Sequence, residues 1–306
     1  MSAELQEQDL SANDSVTWYP SMDLIRQIKG AVGTMKMLPE VAVRALDLAR
    51  DPEVTINEFA GVIQQDVSLA SGVLAMANSV LYSPGQPTAS LEKGNARVGF
   101  RQCRNLIVAS SLASVMKKMP LEEQWVRDVL WQHSVTTASI ALHLNRKLKL
   151  QFDGEEFTGG LLHDFGRTLM AVAFPKEFAA FDPLDFNETE DNLANEEAAI
   201  GSDHCSIGAW FAAEQGLPDV LQEIVRFHHT PERSHRHSKL VALTAVADHM
   251  ANHFQRHGEA EVYDPASNPF IESLEKAGVN QVREKFDPIA AELLNQAAAD
   301  AQELLA

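Results

Sequence analysis

Apolar positions recur at three- and four-residue spacing along almost the whole chain, and no stretch alternates with β-branched residues, so the pattern predicts an all-α fold. In residues 55–65, TINEFAGVIQQ, the side chains of Ile56, Phe59, Ala60 and Ile63 share one helical face. Thr55 and Glu58 stand ahead of that face at the spacing of a capping box. PEVAVRALDLAR opens at Pro39, a favoured first helical position, and stops before Asp51-Pro52. SLASGVLAMANS (68–79) and RQCRNLIVASSLASVMKK (101–118) continue in the same style.

Breaks in the pattern divide the chain. KKMP at 117–120 ends a first helical block, giving an N-terminal subdomain over 21–118 and a second helical subdomain over 121–255. Residues 257–306 form an Ala- and Glu-rich helical extension. Its final part, IAAELLNQAAADAQELL, reads as an amphipathic helix that packs on the body or on a second copy. The acidic FDPLDFNETEDN (181–192) reads as a surface loop, and residues 1–20 as a poorly ordered terminus.

Composition narrows the partners. Apolar residues make up 45% of the chain, with 14 Phe, 4 Trp and 3 Tyr, so the core must be mostly Leu, Ala, Val and Ile. Forty-three acidic against 25 basic residues leave a net charge of -18, which disfavours nucleic acid and anionic membranes as partners. Cys103 and Cys205 lie far apart and match no zinc-ligand spacing, as expected of a reduced, cytoplasmic protein. MSAELQEQDL is too polar for a signal peptide, and LIVASSLASVM is short of the ~20 residues that span a bilayer.

The chemistry gathers in the second block. GGLLHDFGRTLM (159–170) carries an adjacent His163 and Asp164 in a leucine-rich helical run. Neighbours on a helix point about 100° apart, so both can reach a centre between packed helices. His133, His204, His228, His229 and Asp248 recur on other predicted helices. Imidazole and carboxylate suit zinc, iron and manganese, and ligands from several helices would close such a site. Each residue alone has a blander reading. His228-His229 precede Thr230-Pro231, where a helix ends and histidine complements its dipole. His133 below Trp131 could be a hydrogen-bonded core histidine. His143, His235, His237, His249 and His253 read as solvated. No Gly-x-Ser-x-Gly elbow or Gly-rich phosphate loop offers other chemistry.

Ordered motifs from about residue 30 to 250 resemble the HDOD family, the HD-related output domain of bacterial signalling within the HD phosphohydrolase superfamily. They are LPEVAVRALDLARDPEVTINEFAGVIQQD, LAMANSVLYSPGQPTASLEKGNARVGFRQCRNLIVA, LWQHSVTTASIAL, GGLLHDFGRTLM, EEAAIGSDHCSIGAW and GLPDVLQEIVRFHHTP. The resemblance implies an N-terminal helical bundle joined to an HD-like bundle. It maps the superfamily's ligand order onto His133, His163, Asp164 and Asp248, and additional ligand positions onto His204, His228 and His229. Arg167 stands where HD-GYP phosphodiesterases carry a lysine near the substrate phosphate. No Gly-Tyr-Pro signature follows His229, so cyclic-di-GMP hydrolysis is not expected. Val67 replaces the family's usual proline. Gly94-Asn95 replaces Ala-Ile, and the glycine should loosen its helix by about 1 kcal/mol.

Two functions compete. As a hydrolase, His133, His163, Asp164 and Asp248 would hold two cations that turn a water into hydroxide near pH 7, with Asp164 bridging and Arg167 neutralising phosphate. As a bacterial signal-transduction regulator, the chain would bind a signalling protein or nucleotide-like ligand and keep its divalent ion (zinc, iron or manganese) for structure. Neither reading requires an organic cofactor, and a homodimer fits either. The N-terminal motifs ANSVLYS and GFRQCRNL exceed what hydrolysis needs, which favours the regulator. Individually they read as packing, with Asn78 and Ser79 capping a helix and Arg101 and Arg104 reaching the surface.

Overall fold

A computed structural model describes residues 19–33, 38–48, 51, 53–79, 82, 88–189 and 191–305. Most of the terminus expected to be poorly ordered lies outside the described residues, as do Pro52 and the Arg101 side chain. Among the described residues the structure is helical without a strand.

The first half is built from α1 (Met22–Val32), α2 (Glu40–Leu48), α3 (Ile56–Ile63), α4 (Val67–Asn78), α5 (Leu91–Val98) and α6 (Phe100–Lys118). Side-chain caps start four of them. Ser21, Thr55, Asp66 and Ser90 each accept a backbone N–H three residues on, and Glu58 closes the capping box on α3. Val67 begins α4 directly after its cap. Asn78 does not cap α4; it clamps Thr88 by donating Nδ2–H to the Thr88 carbonyl at 2.8 Å and accepting the Thr88 N–H at 2.9 Å. Ser79 terminates the helix instead, its hydroxyl donating to the Met76 carbonyl.

The second half winds around α7 (Gln124–Leu148), a 25-residue helix. After it come α8 (Glu155–Leu162), α9 (Phe165–Ala173), α10 (Pro175–Phe181), α11 (Asn192–Ile200), α12 (His204–Glu214), α13 (Asp219–Phe227) and α14 (Ser238–His257). The extension adds α15 (Ile271–Lys276), α16 (Val282–Phe286) and α17 (Ala290–Leu305). α17 lies along α7, where its Asp300 meets His143 Nε2 at 2.8 Å, so His143 is a paired contact and not a solvated residue. α1, grouped by sequence with the first block, packs on α9, and its Lys29 lies over Trp210 of α12. The halves meet where α6 crosses α8. Asn105 donates to the Asp153 carbonyl at 2.8 Å, and Tyr82 sits edge-on to Phe157.

Glycines set how closely the second half packs. A Cβ on Gly160 of α8 would fall 2.5 Å from Ala138 Cα of α7. One on Gly166 of α9 would fall 1.9 Å from the His204 carbonyl oxygen of α12. Backbone cannot yield as a flexible side chain can, so these positions fix α7, α8, α9 and α12 at near contact. Gly160→Ala should therefore cost about 1–3 kcal/mol or more from overpacking. Gly61→Ala, at an exposed position of α3 with nothing within 4 Å of its Cβ, should stabilise by about 0.5–1 kcal/mol. Denaturant unfolding of both proteins tests this, and a Gly160→Ala protein as stable as its parent would contradict it.

Candidate metal centre

Close packing brings the seven His and Asp residues singled out by sequence to one place. His133 projects from the middle of α7, and His163 and Asp164 form the tight corner between α8 and α9. His204 opens α12, His228 and His229 follow α13, and Asp248 lies on α14. All but the partly buried His229 are at most 3% exposed.

The polar atoms fall into two groups that share Asp164. In the first, His133 Nε2 lies 3.0 Å from Asp248 Oδ1 and 3.2 Å from His163 Nε2. Asp164 Oδ2 faces these two imidazoles at 3.6 and 3.7 Å. In the second, His204 Nε2 lies 3.4 Å from His228 Nε2 and 3.2 Å from His229 Nε2. Asp164 Oδ1 faces His204 and His228 at 3.4 and 3.5 Å.

Outer contacts turn the ring nitrogens inward. His163 Nδ1–H donates to the Gly160 carbonyl at 2.8 Å, and His228 Nδ1–H to the Val225 carbonyl at 3.0 Å. His204 Nδ1–H donates to Glu196 at 2.8 Å, and His133 Nδ1 meets the Gln255 side-chain oxygen at 2.5 Å. With Nδ1 tied to an outer acceptor, each Nε2 is turned to the centre and would present a lone pair there once it gave up its own proton, the arrangement that orients histidine toward a metal. Lone pairs and carboxylates at 3.0–3.7 Å cannot satisfy one another without positive charge between them.

Asp164 is held well below the usual carboxylate range: burial opposes its charge, but His163 and Arg167 outweigh burial. Asp248 is lowered likewise, burial being overcome by His163 and His133. His204 and His228 are raised well above the ordinary histidine value despite burial, chiefly by Cys205, with Glu196 and Asp164 adding to it. Protons on both of these Nε2 atoms, 3.4 Å apart, would repel each other, whereas one divalent ion between them would not. Asp164 Oδ1 is buried and has no hydrogen-bond partner among the described residues. Two nitrogens on a tetrahedral ion at ~2.0–2.1 Å stand about 3.3 Å apart, close to the observed spacings. The donor set fits a divalent cation.

The loop after α10 lies at the surface as expected, with Pro183, Asp185, Asn187 and Thr189 exposed, but it turns Asp182, Phe186 and Glu188 inward. Asp182 accepts two bonds from Arg167, from Nε at 2.9 Å and Nη2 at 3.0 Å, while Nη1 donates to Asp164 Oδ2 at 2.8 Å. Glu188 Oε1 stands 3.7 Å from the same guanidinium, and its Oε2 lies 3.7 Å from His229 Nδ1. Burial, with Asp248 and Asp164 nearby, pushes the Glu188 carboxyl well up. Phe186 is buried and stacks on His133 with ring centroids 4.9 Å apart and 21° between planes, while Arg167 lies over its ring. Leu184 and Phe186 both have left-handed backbones, at φ 56° and 55°. That conformation costs a non-glycine residue free energy and persists where contacts enforce it.

Several participants escaped the sequence reading. Gln255 and Glu196 hold imidazoles from outside, and Cys205, expected to be a plain reduced thiol, lies with its Sγ 3.4 Å from His204 Nε2. The adjacency of Cys205 to His204 was the available signal. Nothing in the local pattern marked Phe186 or Glu188. His235 is exposed as expected, whereas His249 and His253 are half-buried beside Tyr263.

The HDOD domain family model matches residues 35–231. The chain belongs to the HDOD family. This HDOD protein is 26% identical over 219 residues to an uncharacterized protein of Treponema pallidum (strain Nichols), covering 69% of this chain. It spans about two fifths (41%) of that curated relative. Its fold is similar to an HDOD domain protein of unknown function from Geobacter sulfurreducens, with TM-score 0.73, 24% identity, and 92% and 97% of the two chains covered. A candidate phosphohydrolase from Shewanella amazonensis SB2B is similar at TM-score 0.64 and 21% identity, covering 94% and 99%. A candidate signal transduction protein from Marinobacter aquaeolei VT8 is similar at TM-score 0.61 and 18% identity, covering 94% and 69%.

Arg167 neutralises carboxylates that are otherwise buried together, which makes it the side chain whose loss should cost most here. Arg167→Met should lower stability by roughly 3–5 kcal/mol. Arg167→Lys should recover only part, because one ammonium cannot reproduce the guanidinium fork. Denaturant midpoints decide the matter, and a loss below about 1 kcal/mol for Arg167→Met would show the ion pairs to be incidental.

Proposed function

We propose that this HDOD protein is a signal-transduction regulator that acts by binding a protein or a nucleotide-like ligand. In this reading its His/Asp centre holds a divalent cation, zinc, iron or manganese, as a structural and regulatory element. The observation that carries the reading is the closure of the centre by the chain's own loop. A phosphate ester would have to meet Arg167, yet that guanidinium already faces Asp182, Asp164 and Glu188. It would also have to pass Phe186 on His133 and displace a carboxylate grouped with His229 and Asp248. The similar structure from Marinobacter aquaeolei VT8 is named as a candidate signal transduction protein, which supports this reading, and the N-terminal half adds packed surface that hydrolysis does not need.

The alternative, a metal-dependent phosphohydrolase acting on a nucleotide or other phosphate ester, draws on the completeness of the donor set. A divalent cation here would lower the pKa of a bound water toward 7. Asp164 would bridge the two donor groups, and Arg167, freed from Asp182, would neutralise phosphate charge.

One measurement tests the cation that both readings require, and a second separates them. Protein purified without added metal should carry a divalent ion. Asp164→Ala should remove it and lower the melting temperature, and chelation should shrink the gap between parent and variant, because an ion bound only by the folded state stabilises by RT ln(1 + [L]/Kd). A panel of nucleoside mono-, di- and triphosphates and cyclic dinucleotides, supplied with manganese, iron or zinc, should give no appreciable turnover. A kcat in the ordinary range of ~1–10³ s⁻¹ on any of them, lost in Asp164→Ala, would make the hydrolase reading correct.

A further inference from the structure

The two donor groups joined by Asp164 are chemically unlike. The group around His133, His163 and Asp248 offers nitrogen and oxygen alone. The group around His204, His228 and His229 also contains a thiol, and the ligand atoms of those three imidazoles and Cys205 all lie within 4.8 Å of one another. We infer that Cys205 supplies a thiolate ligand to the ion held by His204 and His228, making that half of the centre a nitrogen–sulfur site for a thiophilic metal. The inference rests on the reading that the centre holds a cation.

Geometry supports it from two sides. Cys205 is 1% exposed, with Sγ 3.4 Å from His204 Nε2 and 4.0 Å from both ring nitrogens of His228. In a tetrahedral zinc site with N at ~2.0–2.1 Å and S at ~2.3 Å, nitrogen and sulfur stand about 3.6 Å apart. A sulfur displacement of roughly 0.5 Å therefore suffices to meet both imidazoles at ligand spacing. Independently, Asp164 Oδ1 is buried and unpartnered among the described residues, and it points at the same two imidazoles from 3.4 and 3.5 Å. Two imidazoles, a thiolate and that oxygen complete four ligands, with His229 Nε2 beside them at 3.2 Å from His204 Nε2.

A buried cysteine is ordinarily a small apolar filler. Cys103 fits that description: it is buried in the core, and its Sγ donates weakly to the Asn95 carbonyl at 3.7 Å. Cys205 sits among imidazoles instead, where a neutral thiol can donate only one weak hydrogen bond and a metal-bound thiolate has lost its proton to solvent. Soft thiolate favours zinc or iron over magnesium and manganese, so the two halves should differ in metal preference.

The test uses the full chain, stripped of metal and saturated with cobalt(II). Cobalt content and the absorption spectrum are measured for the parent, Cys103→Ser and Cys205→Ser. The expected result is a near-ultraviolet thiolate-to-cobalt charge-transfer band in the parent and in Cys103→Ser, lost in Cys205→Ser, whose visible bands from imidazole-bound cobalt remain. The chain has only 2 cysteines, so a band surviving in Cys103→Ser assigns the ligand even if Cys205→Ser folds poorly. Bound cobalt with visible bands but no charge-transfer band in the parent overturns the thiolate while leaving the cation reading intact. A band that persists in Cys205→Ser overturns it equally. Failure to bind cobalt at all overturns both readings.

Discussion

The Asp164 carboxylate is the point on which the second half of the molecule closes. One oxygen faces His133 and His163 and takes a bond from Arg167, while the other faces His204 and His228. It thereby ties α7, the α8–α9 corner, α12 and the end of α13 to one buried anion. Such a group is tolerable in a core only when positive charge meets it from several directions. Arg167 supplies one such charge, but Asp164, Asp248, Asp182 and Glu196 bring four carboxylates into the same region. The remaining deficit lies on the side where the Nε2 atoms converge. A divalent ion there would satisfy the electrostatics of the interior as well as any chemistry.

This constraint explains the small residues around it. His204 can approach Asp164 only because Gly166 lets the α12 backbone lie where a Cβ would be, and Gly208 of α12 gives the reciprocal clearance, since a Cβ there would fall 3.1 Å from the Gly166 nitrogen. Gly160 does the same between α8 and α7, which carry His163 and His133. Packing and site are one piece of geometry here, and a methyl group at either crossing would separate the donors as well as strain the helices.

Much of this was legible in the sequence, because the signals were local. Helical periodicity and capping residues gave the all-α fold, and residue type with motif order picked out His133, His163, Asp164, His204, His228, His229 and Asp248, which the structure brings together. What stayed hidden depends on tertiary approach. The acidic composition of 181–192 looked solvent-seeking, yet Asp182 and Glu188 find a buried cation in Arg167, and Phe186 finds the face of His133. His143 looked solvated because its partner, Asp300, lies 157 residues away. α1 belongs by sequence to the block it precedes, but its apolar face is taken by α9. Asn78 looked like a helix cap from its residue type at a helix end, whereas its amide matches both backbone groups of Thr88.

Closure by the 182–189 loop bears on why a full donor set does not by itself argue for turnover. The loop holds left-handed backbone at Leu184 and Phe186, so its closed form depends on contacts with Arg167 and His133. Those contacts in turn exist because Asp164 positions Arg167 and the α7 packing positions His133. Removing one member would leave the others as uncompensated charge in the core, which costs more than removing a surface ion pair. Each ligand-type residue here therefore has a structural reason to be present, whatever the centre does to a substrate. In the proposed regulator, the same coupling would let a partner or ligand that held the loop in a different arrangement disturb contacts that reach, through Arg167 and Asp164, the ends of four helices. It would do so only by as much as its differential affinity for the two arrangements allowed.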